Sequence, residues 1–168
     1  MNPTGSFPAV LRPDLDPLEV NPELELELVE AISALRPAMN FSPGGVSATF
    51  DPCEILGRPA VLQLVYEKGT LRRASIFIRL PDDTTDWSDW TLAQEMARKR
   101  QHDALALALF GVALTPKPLD INGKPILPLE LTPEHPNHAV FPWGEIISGY
   151  DSKGSVASMW IDYAGPRA

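Results

Sequence analysis

The sequence predicts an α+β domain, a five-stranded and largely antiparallel sheet with two helices packed on one face and a proline-rich N-terminal arm. Three observations predict it. Two segments join helix-start signals to helical apolar spacing, and five runs have strand length and strand patterning, joined in places by turn residues. The 18 prolines crowd into two stretches, where fixed φ and a missing amide donor disfavour helix and central strand alike. At 168 residues the chain suits one domain able to bury roughly two-thirds of its unfolded surface.

The arm, residues 1–20, carries Pro3, Pro8, Pro13 and Pro17 and is predicted to be extended. The domain proper, residues 21–168, begins at Asn21-Pro22-Glu23, where Asn21 can cap, Pro22 suits the first helical position and Glu23 and Glu25 favour the positive helix end. Leu24, Leu26 and Leu28 alternate with glutamates as a strand would. Leu24, Leu28, Ile32 and Leu35 nevertheless keep helical spacing, so a helix to about Arg36, stopped by Pro37, is expected. Three strand-like runs follow: Val46, Ala48 and Phe50 alternating with polar residues, the apolar run Ala60 to Tyr66, and Leu71 to Leu80 with Ala74, Ile76 and Ile78 on one face. Glu67-Lys68-Gly69-Thr70 signals a hairpin, so these runs form a meander with the second strand in its middle.

Thr91 and Gln94 stand at capping-box spacing and open a second helix that ends at Phe110, with Gly111 as C-cap. Leu92, Met96, Ala104, Leu107 and Phe110 fall on its broad apolar side, and Arg100 and Asp103 are spaced for an ion pair. Arg98-Lys99-Arg100 reads as a solvated face, too small to hold nucleic acid. Beyond the proline-rich connection, Glu145 to Tyr150 and Ser155 to Tyr163 read as strands joined by the turn Asp151-Ser152-Lys153-Gly154, with Trp143 and Trp160 expected in the packing.

Lys and Arg number 14 against 22 Asp and Glu, a formal charge of −8. That balance argues against nucleic acid and against anionic membrane surfaces, and it suits a basic partner. Cys53 is the single cysteine and closes no internal disulfide; the first residues show neither a basic start nor a long apolar run. The expectation is a cytoplasmic protein.

Little in the chain carries catalytic chemistry. Glu134, His135 and His138 could offer three metal ligands, but no frame such as HExxH or CxxC supports them, so neither metal nor cofactor is expected. Cys53 sits among Asp51, Pro52 and Glu54, which work against a thiolate. Gly44-Gly45 follows a proline as a turn, not as a phosphate cradle opening a helix. The informative segment is the run from Asp82 to Trp90. Its acids do not have EF-hand spacing, and tryptophans framed by carboxylates are a common form of protein-binding surface. Asp82, Asp83, Asp86, Trp87, Asp89 and Trp90 are therefore the candidate partner-binding residues.

Two segments also carry a family likeness. Phe141-Pro142-Trp143-Gly144-Glu145 through Gly154 with the following strand to Tyr163, and the helix Glu95-Met96-Ala97-Arg98-Lys99-Arg100-Gln101-His102-Asp103 leading to Gly111, resemble bacterial immunity proteins of polymorphic or contact-delivered toxins. The resemblance covers roughly a third of the chain. It implies a protein that binds and neutralises a cognate toxin, without catalytic residues or cofactor. Two other readings stay open: an adaptor or chaperone that engages its partner by a sheet edge or by the arm, and a small-ligand binder or enzyme using His102, His135, His138 or Cys53.

Overall fold

The computed structural model describes residues 4–39, 41–83, 86–118, 124, 125, 127 and 131–163. Thr84 and Thr85 of the acidic run and much of the connection after Pro118 lie outside the described residues. The class is α+β, but among the described residues the predicted five strands become an eight-stranded sheet together with a separate two-stranded one.

In chain order the elements are β1 (Phe7–Ala9), β2 (Leu18–Val20), α1 (Leu26–Glu30), β3 (Arg36–Pro37), β4 (Val46–Ile55), β5 (Arg58–Glu67) and β6 (Thr70–Ile78). They continue with α2 (Leu92–Phe110), β7 (Thr115–Pro116), β8 (Asn137–Phe141), β9 (Gly144–Asp151) and β10 (Val156–Asp162). The large sheet runs β3-β4-β5-β6-β10-β9-β8-β7. It is two antiparallel meanders, each wound from an outer edge inward, that meet where β6 pairs with β10. The five predicted strands are β4, β5, β6, β9 and β10. The three that were not predicted are short or hidden by proline: β3 and β7 have two residues each, with Pro37 and Pro116, and Pro136 and Pro142 flank β8. Proline at both outer strands removes a donor from each edge, which blunts the sheet against further pairing.

One sheet face holds the core. Ala48, Leu62, Leu64, Ala74, Ile76, Ile146, Met159 and Ile161 are fully enclosed there, each large aliphatic contributing roughly 1.5–3 kcal/mol of transfer free energy. β1 and β2 close over the same core through Phe7, Ala9 and Val20, and a Val10–Glu54 bridge ties the first segment to β4. Phe110 of α2 meets Phe7 edge-on at 6.4 Å and lies 5.9 Å from Trp143, which stacks on Phe141 at 4.7 Å. The buried hydroxyls are matched: Tyr66 donates to the Leu24 carbonyl and Tyr163 to the Gly5 carbonyl, both at 3.1 Å. Burial alone drives the Tyr66 phenol above its usual range.

Turn chemistry fixes the registers. Lys68 and Gly69 both have positive φ, 51° and 77°, as a tight two-residue hairpin between β5 and β6 requires. Gly144 sits at φ 154° against β10, where a Cβ would lie 1.8 Å from the Asp162 carbonyl oxygen. Gly144→Ala is therefore expected to lower the unfolding free energy by about 2–3 kcal/mol, because backbone rather than a pliable side chain must move. Urea denaturation with an unchanged slope would register it.

Both helices depart from prediction. The first has five residues, Leu26–Glu30. Asn21 spends its cap on a local turn, its Oδ1 accepting from the Glu23 amide at 2.8 Å. Of the expected stripe, Leu24 is buried but Leu28 and Ile32 are 56% and 45% exposed. Without a surface to cover, a short helix is marginal, and the chain passes instead to β3. The second helix has its predicted bounds: the Thr91 hydroxyl accepts from the Gln94 amide at 3.2 Å, and Gly111 is left-handed with its amide on the Leu107 carbonyl at 2.9 Å. Its buried face is another matter. Of the predicted side Met96 and Phe110 are buried, but Leu92, Ala104 and Leu107 are exposed, and Glu95, Arg98, Lys99 and His102 are buried beside Leu105 and Ala106. Arg98 and Lys99 thus do not form a solvated patch, and Asp103 pairs with Lys99 at 3.6 Å in place of Arg100.

Candidate functional site

Those buried charges sit where the central sheet comes apart. The ladder between β6 and β10 ends at Ile76–Met159, although β6 continues to Ile78 and β10 starts at Val156. Backbone groups facing the gap need other partners. The α2 side chains provide them: His102 Nε2 accepts from the Ile78 amide at 3.1 Å, Arg98 Nη1 donates to the Ile78 carbonyl, and Glu95 Oε2 accepts from the Ala157 amide at 2.8 Å.

Arg98 is the hub. Its guanidinium donates to both Asp83 oxygens at 2.5 and 2.8 Å and to Glu95 at 3.2 Å, and it lies 4.0 Å over the Phe77 ring. Asp83 in turn accepts from the Leu80 amide at 2.7 Å, which anchors the start of the acidic loop. Burial works to raise the Asp83 pKa, but the Arg98 bonds and charge and the Leu80 amide outweigh it and hold the carboxyl below its usual range. For Arg98 burial works downward, and Asp83 and Glu95 reverse it, keeping the guanidinium charged.

Beside this network lies a cleft of about 430 Å³. Phe77 of β6 and Arg79 just beyond it, Trp87 and Trp90 of the loop, Glu95 and Arg98 of α2, and the chain from Gly154 to Val156 are among its walls. Two contacts fix the loop above it: the Trp90 indole donates to the Ser155 carbonyl at 2.8 Å, and the Asp86 carboxylate accepts from the Ser88 amide at 2.9 Å to begin a 3-10 turn over Trp87–Asp89. Trp87 on that turn is 73% exposed.

The predicted surface residues therefore divide in two. Asp82, Asp86, Trp87 and Asp89 are exposed, Asp86 and Trp87 at the cleft itself, while Asp83 is tied to Arg98 and Trp90 is half-buried against Ser155. The inner wall, Glu95, Arg98 and Phe77, was missed. The signal was present in Glu95, Arg98 and His102, whose three- and four-residue spacing puts them on one helix face, but polarity pointed that face to water.

The histidines and the cysteine do not gather there. His102 is fully buried and its pKa falls to about 3, through burial and then the Arg98 and Lys99 charges. His135 bonds the Lys117 carbonyl at 2.6 Å, and His138 meets Glu145 at 2.7 Å, where Lys117 also binds at 2.8 Å. Among the described residues no three His, Cys, Asp or Glu side chains stand together as a metal would require. Burial and then the Asp51 charge push the Cys53 thiol up to about 11, which disfavours a thiolate. No helix among the described residues is long and apolar enough to cross a membrane. No family model, no curated protein and no solved structure matches the sequence.

Proposed function

We propose that this chain is an immunity-type inhibitor that binds a basic protein toxin through the rim of the cleft and neutralises it by occlusion. The observation that carries this reading is Trp87: a large aromatic 73% exposed, set among Asp82, Asp86 and Asp89 on a loop held by Arg98 and Ser155. A large aromatic ringed by charge is a common anchor of protein interfaces, and nearby carboxylates steer a cationic partner to it. The formal charge of −8 acts in the same direction at longer range.

The partner to test is the product of the gene adjacent to this one, by size-exclusion chromatography and titration calorimetry. Trp87→Ala should weaken the complex by about 2 kcal/mol, some thirtyfold. Neutralising Asp82, Asp86 and Asp89 together should slow association and flatten its salt dependence. Asp83 is left intact because it belongs to the fold. Unchanged affinity in both variants would refute this surface.

A further inference from the structure

Resting on that reading, we infer that the cleft behind Trp87 is a receptor for one arginine side chain of the partner. Its ionisable lining is Arg79 and Arg98 against Asp83, Asp86 and Glu95, so 2 − 3 gives a net charge of −1. Arg79 is itself matched by Asp51 at 2.7 Å. Asp83 and Glu95 share the Arg98 guanidinium, and with side chains 19% and 6% exposed they leave a negative charge largely screened from water. Such a charge attracts a cation more strongly than a solvated carboxylate does.

Shape and chemistry narrow the cation. An α-helix is ~10 Å across, so a space of about 430 Å³ takes a long side chain and not an element of structure. Its aromatic lining, Phe77, Trp87 and Trp90, favours a planar guanidinium, which stacks on rings and is more weakly hydrated than an ammonium. The cleft already shows this preference in its own construction, where Arg98 lies 4.0 Å over Phe77. The incoming arginine would cross the rim beside Trp87 and lay its guanidinium between aromatic wall and carboxylates, without displacing the Arg98 bonds.

The test uses the full chain, ¹⁵N-labelled, with N-acetyl-arginine amide as probe and its lysine and citrulline counterparts as controls. Saturable shifts of the Trp87 and Trp90 indole and Ala157 amide resonances are expected with the arginine probe at millimolar concentration. Citrulline, uncharged and nearly isosteric, should produce less than a tenth of the response, and lysine should bind at least threefold more weakly. Trp87→Ala, an exposed position, should weaken arginine binding at least fivefold with the amide spectrum otherwise retained. Equal responses to arginine and citrulline, equal responses to arginine and lysine, or shifts away from the cleft would each overturn the assignment. If Trp87→Ala weakens the toxin complex but the arginine probe does not bind selectively, the rim surface stands and the arginine receptor falls. If Trp87→Ala changes neither, both fall.

Discussion

Arg98→Ala is expected to cost about 3–5 kcal/mol of folding stability, a large share of what a domain this size possesses. The substitution removes a guanidinium that is 4% exposed and bound to Asp83, Glu95 and the Ile78 carbonyl. Two carboxylates then lose the cation they share, leaving Asp83 only the more distant Arg79, which is itself bonded to Asp51, and a backbone oxygen in the gap loses its donor. Arg98→Lys should recover only part of the loss, because a single ammonium cannot reproduce a fork that reaches two carboxylates and a carbonyl at once. Urea titration gives the global cost, and amide exchange at Leu80, Asp83 and Ala157 shows whether loop and strand loosen first. A cost below about 1 kcal/mol would mean that solvent replaces the network readily and that the loop is not braced by it.

Acid should destabilise the protein well above the carboxylate range, and His102 is the cause. Since Nε2 accepts from the Ile78 amide, the neutral ring carries its proton on Nδ1, a buried nitrogen with no hydrogen-bond partner among the described residues. The folded pKa is about 3 against an ordinary 6.5. Below pH 6.5 the unfolded chain therefore takes up a proton that the folded chain refuses, and stability falls as pH drops until the folded pKa is reached. Between pH 7 and 5 the loss should be about 2 kcal/mol, from a total on the order of 4–5 kcal/mol by pH 3. Asp83 and Glu145, held below their usual range, add losses of the same sign at lower pH. His102→Gln should flatten the curve between pH 7 and 5, since its side-chain oxygen can accept from Ile78 without titrating. An unflattened curve would place the acid sensitivity elsewhere.

Class and connectivity of the long elements were legible in the sequence because local signals set them. Thr91, Gln94 and Gly111 bound α2, Lys68-Gly69 makes the β5–β6 hairpin, and period-two patterning marks β4, β6 and β10. What was not legible depends on distant partners. β3 and β7 exist only as extensions of β4 and β8, and two residues carry no period. The first helix shrank because no surface was there to cover Leu28 and Ile32. α2 buries Glu95, Arg98 and His102 along with its apolar Met96, Leu105, Ala106 and Phe110 because the parted strands offer backbone groups that polar side chains satisfy, a demand not encoded in the helix itself. The exposure of Trp87, Asp82, Asp86 and Asp89 was legible from composition. The inner wall of the cleft was not, because Arg98, Glu95 and Phe77 meet only after residues from separate elements converge.

The seam between β6 and β10 also sets an order of events on the ribosome. Arg73 and Asp162, 89 positions apart in sequence, face each other across it, so the middle of the sheet is synthesised in two instalments. After Ile76 emerges, the chain must grow to Asp162 before the β6–β10 ladder can be completed, an interval of roughly 4–17 s at ordinary elongation rates. During that time a strand destined for the centre presents an open side to every other nascent chain. α2 is the first following element able to shield it, and His102 and Arg98 reach the end of that open side before any strand can.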